Sequence, residues 1–257
     1  CSLGKMYWDG RGVRRDNAAA ASWYERAAEL DSAEAGYLLG RIFYYGHGEP
    51  QDLAKAAELF RRSAELGNAG AQNSLGFMYK NGKYFRQDYR EAARWFRMSA
   101  EQGNQYAQCS LGWLYRSGLG VERNLAEAAV WYRKSAEQGN ANAQNCLALM
   151  YRSGSGVRQD YAEAAKWYRK SAEQGNAGAE CSLGWLCERG LGVRRDYTEA
   201  FFWYKRAALQ GNEFAECRLG AMYESGRGVQ RNFSEAVKWY RRAASTGNAY
   251  ARERLSR

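Results

Sequence analysis

The chain has 257 residues, of which 46% are hydrophobic, and it carries a formal net charge of +10 at pH 7. This apolar content is ample for a folded core, and no stretch approaches the roughly 18 apolar residues that a membrane-spanning helix needs. Composition therefore excludes a membrane span, while the positive charge makes nucleic acid a partner to consider.

A Leu-Gly pair recurs along the chain at one fixed interval of 36 residues (76 − 40 = 36), with no insertion. A period of this length is typical of a solenoid of stacked units. We therefore expect residues 1–257 to form a single array, truncated at one or both ends because Cys1 already occupies a mid-repeat position. The series is Leu3-Gly4, Leu39-Gly40, Leu75-Gly76, Leu111-Gly112, Leu147-Ala148, Leu183-Gly184 and Leu219-Gly220.

The first element of each repeat is predicted to be a helix, which we call helix A. Ala179, Leu183 and Leu186 have the spacing of residues that share one helix face, and neighbouring repeats keep the same residue types there. Helix A is predicted to end at a loop such as residues 117–121, where two glycines supply backbone conformations that other residues resist.

A second helix, helix B, is predicted to begin at an acid or amide that is followed three residues later by Glu. The first side chain can accept a hydrogen bond from an unpaired backbone N–H, and the glutamate can reach back and favours the positive end of the helix dipole. Helix B is predicted to end at a glycine, and the Asn that follows caps the next helix A, so consecutive helices are expected to be antiparallel. The start pairs are Asp88/Glu91, Asn124/Glu127, Asp160/Glu163, Asp196/Glu199 and Asn232/Glu235.

Seven copies of the pattern A-x-x-x-L-G-x-x-Y-x-x-G-x-G-V-x-x-D-x-x-x-A-x-x-W-Y-x-x-A-A-x-x-G cover essentially the whole chain. The pattern resembles that of the Sel-one-like repeat family, a branch of the tetratricopeptide-type helical repeats. The resemblance implies an all-α fold, a right-handed α/α superhelix (solenoid) of about seven 36-residue helix-turn-helix repeats. It also implies a non-enzymatic adaptor or scaffold for other proteins, and we expect a monomeric array.

Four of the six cysteines occupy one helix-A column, a column being the same position in successive repeats: Cys1, Cys109, Cys181 and Cys217. Helices packed about 8–10 Å apart separate Cα atoms beyond the roughly 7 Å limit of an unstrained disulfide. A secreted branch of the resembled family bridges helix A to a helix-B cysteine, but that column here holds only alanine, from Ala28 to Ala244. We therefore expect free thiols, no metal site and no cofactor.

Much of the basic content lies in one helix-B column pair: Arg61-Arg62, Arg133-Lys134, Arg169-Lys170, Lys205-Arg206 and Arg241-Arg242. Glutamates three or four residues further on, such as Glu65, Glu137 and Glu173, can pair with these cations. The favoured interpretation is a solvated outer face, and nucleic-acid binding by this basic face is the alternative.

A column that is the same in every repeat serves packing, whereas a variable column is free to serve function. Six tryptophans share one helix-B column and are predicted to be core: Trp23, Trp95, Trp131, Trp167, Trp203 and Trp239. Trp113 and Trp185 instead share a helix-A column with Lys5, Arg41, Phe77, Leu149 and Ala221, a mixture that no common packing role would select.

Positions 70, 73, 77 and 80 form a second stripe on helix A, on a different face from Ala71, Leu75 and Met78. In the superhelix that the chain resembles, this face of helix A lines the concave groove. Aromatic, Asn and Arg side chains suit a peptide groove, although the alternative is that the aromatic rings only pad contacts between helices A. The predicted partner-binding residues are Tyr37, Arg41, Asn73, Phe77, Tyr106, Cys109, Trp113, Arg116, Asn142, Asn145, Arg152, Trp185 and Phe214, with Cys181 and Cys217 beside them.

The column of Arg116 and Arg152 also contains Glu188 and Glu224, which predicts a groove that is basic in the middle and more acidic towards its C-terminal end. Catalysis has little support, because the single His47 lies in a loop without a nucleophile and base pair nearby. The variant loop of residues 82–86 carries Tyr84 and Phe85, a candidate secondary contact.

Overall fold

The computed structural model describes residues 1–256, and within them all regular secondary structure is helical. The prediction of an all-α helical-repeat fold is confirmed. Helices A are α1 (Ser2–Asp9), α3 (Ala33–Tyr45), α5 (Ala69–Asn81), α7 (Gln105–Ser117), α9 (Ala141–Ser153), α11 (Ala177–Arg189), α13 (Glu213–Ser225) and α15 (Ala249–Leu255). Helices B are α2 (Asn17–Glu29), α4 (Leu53–Glu65), α6 (Tyr89–Glu101), α8 (Leu125–Glu137), α10 (Tyr161–Glu173), α12 (Tyr197–Leu209) and α14 (Phe233–Ser245).

The helices are grouped into two compact units, Cys1–Trp131 and Tyr132–Arg257, which we call unit 1 and unit 2. Consecutive helices pack against one another from α1 to α7 in unit 1 and from α9 to α15 in unit 2. The organisation of residues 1–257 as a single array stays a prediction.

The predicted start signals are confirmed at both kinds of helix. The side chain of Asn68 accepts a hydrogen bond from Ala71 N at 2.9 Å and caps α5, while Asp160 accepts from the backbone N–H groups of Ala162 and Glu163 and caps α10. The carboxylate of Glu163 pairs with Lys166 at 3.2 Å, one turn along the helix. The capping side chain therefore satisfies the backbone, and the glutamate adds a favourable charge at the helix start.

The glycine of the Leu-Gly pair receives an aromatic ring from the following helix B. A Cβ at Gly76 would lie 2.6 Å from the ring of Phe96, and a Cβ at Gly220 would lie 2.6 Å from the ring of Tyr240. Both rings are almost completely buried. Glycine in helix A therefore lets helix B approach closely enough for its ring to be enclosed.

The tryptophan column of helix B is buried less deeply than the column that directly follows it in the sequence. Trp95, Trp167, Trp203 and Trp239 are buried as predicted, whereas Trp23 and Trp131 are only half-buried. The next column along helix B holds the most enclosed rings: Tyr24, Phe60, Phe96, Tyr132, Tyr168, Tyr204 and Tyr240. The prediction is therefore corrected for Trp23 and Trp131, because this second column faces the glycine of helix A.

Two glycines of unit 2 provide a matched test of backbone strain and close approach. Gly175 and Gly192 both have positive φ angles, 86° and 68°, but only Gly192 approaches another backbone, where a Cβ would lie 2.1 Å from the carbonyl carbon of Tyr161. We expect Gly175→Ala to lower the free energy of unfolding by about 1–2 kcal/mol through left-handed strain alone. We expect Gly192→Ala to cost more, because α10 would also have to move. Denaturant unfolding of both variants measures the difference, and equal losses would contradict the close approach.

Candidate partner-binding surface

The two predicted stripes of helix A differ in burial along α5. Ala71, Leu75 and Met78 are completely buried, whereas Asn73 and Phe77 are half-buried. A half-buried stripe of large and polar side chains beside a closed core can contact a partner without loss of packing.

A cleft of about 570 Å³ lies in unit 1 along α3, α5 and the start of α7. Five of the predicted partner-binding residues line it: Tyr37, Arg41, Asn73, Phe77 and Tyr106. The structure therefore brings together residues from three successive repeats, as the periodic spacing of their columns requires.

Other lining residues of the cleft were missed by sequence reasoning: Tyr44, Tyr45, Phe60, Ser74 and Asn81. Tyr45 and Asn81 share the last column of helix A, which also holds Asp9, Ser117 and Arg189. That column is as variable as the column of Trp113, so comparing columns over the last turn of helix A would have found it.

The cleft combines aromatic walls with few polar groups. The guanidinium carbon of Arg41 lies 5.7 Å from the centre of the Tyr37 ring, and burial raises the pKa of the Tyr37 hydroxyl. The side-chain oxygen of Asn73 is buried and has no hydrogen-bond partner within residues 1–256. Tyr45 and Tyr106 are 56% and 59% exposed. Exposed rings can contact the side chains of a peptide, and an amide with unused hydrogen-bonding capacity can bond to its backbone.

The remaining predicted residues of unit 1, Cys109, Trp113 and Arg116, are half-buried on α7 and lie outside the lining of the cleft. The ring of Trp113 has Lys80 Nζ 4.3 Å from its centre, and Lys80 Nζ is also 5.6 Å from the centre of Phe77. Phe77 thus lines the cleft and also contacts Lys80, which connects the cleft to Trp113.

In unit 2, the predicted residues lie on α9, α11 and α13. Asn142 accepts a hydrogen bond from Asn176 at 3.1 Å, and Asn145 is half-buried. The ring of Trp185 has the guanidinium carbons of Arg152 and Arg189 at 5.6 Å and 5.1 Å from its centre, and Phe214 is exposed.

Two cysteines predicted beside these residues do not belong to an open surface. Cys181 and Cys217 are buried free thiols, and burial raises the pKa of Cys181 to about 12. The thiol of Cys181 is therefore a weak nucleophile and a packing residue.

The predicted acidic end of the groove is corrected by the ion pairs of unit 2. Glu188 pairs with Arg218 and also accepts a hydrogen bond from the hydroxyl of Tyr204 at 2.9 Å. Glu224 pairs with Arg254 and accepts from Tyr240. Because each carboxylate has a counter-ion from a later repeat, neither presents a net negative charge to a partner.

Four arginines of the basic helix-B doublets form ion pairs with residues outside their own helices. For these four, the partner differs from the same-helix glutamates, such as Glu65 and Glu173, that the spacing suggested. The cation to carboxylate distances are 2.7 Å for Arg62 and Asp31, 2.7 Å for Arg169 and Glu199, 2.8 Å for Arg206 and Glu180, and 2.9 Å for Arg242 and Glu216. Much of this basic column therefore contributes to contacts between helices.

The burial of Glu180 shows why an arginine is needed at position 206. In the three preceding repeats its column holds glutamine, and Gln144 donates a hydrogen bond to the carbonyl of Ala136 at 3.1 Å. Glu180 is completely buried and a carboxylate cannot donate, so Arg206 pairs with Glu180 and donates to the corresponding carbonyl of Ala172 at 3.3 Å. The arginine thus neutralises a buried charge and satisfies a backbone group.

Other kinds of site are sparse in the part of the chain that is described. No group of three or more His, Cys, Asp or Glu side chains in residues 1–256 is placed to hold a metal ion. None of these helices combines the length and the hydropathy that crossing a membrane requires. His47 lies between two rings, 5.6 Å from the centre of Tyr45 and 6.1 Å from that of Trp8.

Comparison with known proteins places this geometry in context. The model of the Sel1 repeat matches seven consecutive segments, residues 1–32, 33–68, 69–104, 105–140, 141–176, 177–212 and 214–248. No curated protein matches the chain.

Two solved structures are similar over almost the whole chain. A protective antigen present in uropathogenic Escherichia coli strains, which displays an SLR fold, is 40% identical over 99% of this chain with a TM-score of 0.90. The chain spans 55% of that antigen's length. A Sel1 repeat protein from Oxalobacter formigenes is 34% identical over 99% of this chain and 74% of its own, with a TM-score of 0.77.

A double-mutant cycle tests the role of Arg206. We expect Arg206→Met to lower the free energy of unfolding by about 3 kcal/mol, because it leaves Glu180 buried without a counter-ion. Glu180→Gln together with Arg206→Met is expected to lie within about 1 kcal/mol of the wild type, because Gln can donate to Ala172 as Gln144 does to Ala136. Met98 already stands in the Arg206 column of the repeat that contains Gln72. Denaturant melts give all four values, and a double variant as unstable as Arg206→Met would contradict this role.

Proposed function

The chain belongs to the Sel1 repeat family, whose members generally serve as protein–protein interaction scaffolds, and on this premise we propose that it binds a protein or peptide partner on the face formed by its helices A. The role is that of a non-enzymatic, monomeric adaptor. The observation that carries the proposal is the aromatic cleft of about 570 Å³ in unit 1.

The chemistry of the cleft supports a peptide as its occupant. The rings of Tyr37, Phe77 and Tyr106 bury partner side chains and lose little conformational entropy in doing so. The Asn73 amide has a donor and an acceptor, which match the C=O and N–H of an extended backbone. Arg41 is exposed and can hold a carboxylate with two parallel hydrogen bonds.

The proposed contact residues form one set in each unit. In unit 1 they are Tyr37, Arg41, Asn73, Phe77, Tyr106, Cys109, Trp113 and Arg116. In unit 2 they are Asn142, Asn145, Arg152, Trp185 and Phe214. Tyr44 and Tyr45 join the first set because they line the same cleft.

Nucleic acid is the less favoured partner. A nucleic-acid interface needs cations that are available to phosphates, and its affinity falls steeply with salt. Arg206 and Arg242, in the basic helix-B column, are instead committed to Glu180 and Glu216. Part of the positive charge of the chain is therefore neutralised by carboxylates of the chain itself.

Two exposed rings of the cleft provide a test that spares the core. We expect Tyr45→Ala combined with Tyr106→Ala to change the free energy of unfolding by about 0.5 kcal/mol or less for each substitution, because both side chains are more than half exposed. Binding of a partner should weaken by roughly 2 kcal/mol or more, the loss typical of central aromatic contacts. The matched control is Phe233→Ala, an exposed ring of a helix B.

The measurement is capture from a lysate of the organism that encodes the chain, with and without nuclease treatment, followed by titration of the purified captured protein against each variant. Loss of affinity in the double variant but not in Phe233→Ala supports the cleft. Capture of nucleic acid alone, at low salt and equally by all variants, would overturn the proposal.

A further inference from the structure

The column near the end of helix A that holds Glu188 also contains Lys80 and Arg152. In unit 2, its acidic members receive a counter-ion thirty residues further along the chain (188 + 30 = 218, 224 + 30 = 254), where Arg218 pairs with Glu188 and Arg254 pairs with Glu224. The chain thus neutralises the acids of this column with its own side chains.

Lys80 in unit 1 has no such counter-ion. The corresponding position is Ser110 (80 + 30 = 110), whose hydroxyl donates to the carbonyl of Tyr106 at 2.9 Å. Within residues 1–256, no carboxylate lies within salt-bridge distance of Lys80 Nζ. A half-buried ammonium group without a carboxylate is costly to keep charged, so it is primed to bind an anion.

The surroundings of Lys80 are aromatic. Its Nζ lies 4.3 Å from the centre of the Trp113 ring and 5.6 Å from that of Phe77. Burial lowers the pKa of Lys80, and the thiol of Cys109 is the other titratable group that acts on it. The two ring faces offset part of the desolvation cost and hold the ammonium in place, but they supply no full negative charge.

Unit 2 contains a second example of the same arrangement. Arg152 lies 5.6 Å from the centre of the Trp185 ring, and the position thirty residues further on (152 + 30 = 182) is Ser182. No carboxylate of the described residues forms a salt bridge with Arg152 either. A cation that lies over a tryptophan ring and has no carboxylate partner therefore occurs in more than one repeat.

We propose that Lys80, together with Trp113 and Phe77, is a subsite for a side-chain carboxylate of the bound partner. This inference rests on the proposed function, because Phe77 also lines the cleft in which the peptide binds. The occupant is an acidic peptide segment with an Asp or Glu next to an aromatic or aliphatic residue. The partner's carboxylate pairs with Lys80, as Arg218 and Arg254 pair with the acids of this column in unit 2. The neighbouring apolar residue of the partner enters the cleft.

Selection of peptides from a random library displayed on phage tests this inference directly. Wild-type protein is expected to enrich peptides with Asp or Glu beside aromatic or aliphatic residues. Lys80→Gln is expected to lose the preference for acids and keep the preference for apolar residues. A peptide selected on wild type should bind Lys80→Gln about ten-fold more weakly, and Lys80→Arg should restore most of this loss because it keeps the charge.

The control for net charge is Lys166→Gln, an exposed helix-B lysine paired with Glu163, which should select like the wild type. Denaturant melts establish that each variant is folded. Two outcomes overturn the subsite and leave the cleft in place: apolar selection without acids, or acid selection that persists in Lys80→Gln. Selection of no peptide, or unchanged selection by the Tyr45→Ala and Tyr106→Ala variant, overturns the proposed function together with the subsite.

Discussion

The contact between an aromatic ring of helix B and a glycine of the preceding helix A determines how closely the two helices approach. At Gly40, a Cβ would lie 2.7 Å from the Phe60 ring, and at Gly76 it would lie 2.6 Å from the Phe96 ring. Glycine leaves the space that the ring fills in these repeats, and the apolar area that the ring buries stabilises the helix pair. Ala148 takes the place of this glycine in the fifth repeat, and Tyr168 is completely buried there as well.

Because the packing between helices A and B depends on few residues of each repeat, the other faces of the helices are free to vary. The second stripe of helix A uses this freedom and holds Arg41, Phe77, Trp113 and Trp185 in one column. In unit 1, side chains from three successive helices A meet at one cleft. A partner-binding surface can thus be built from single residues per repeat without weakening the packing of any one of them.

Buried charges in these repeats are paired within the chain. Glu180 replaces a glutamine of the earlier repeats, and Arg206 compensates it, so the buried layer stays satisfied in two chemically different forms. The same holds for Glu188 and Arg218 at the end of helix A. Against this background, Lys80 is informative because its counter-position holds a serine. The net charge of the whole chain says little about partners, whereas a half-buried cation without a carboxylate partner says more.

The sequence by itself determined the helices, because their caps and apolar spacing are local: Asn68 and Asp160 begin helices as their positions predict. It also located five residues of the cleft, since a residue's position within the repeat fixes its helix face. The tertiary structure alone decided that Tyr168 is enclosed more deeply than Trp131, that Cys181 is buried, and that Glu188 is neutralised by Arg218. These outcomes depend on which side chain of a neighbouring helix is close in space. Periodicity specifies the helix face on which a residue lies, but not the side chain that it contacts on the neighbouring helix.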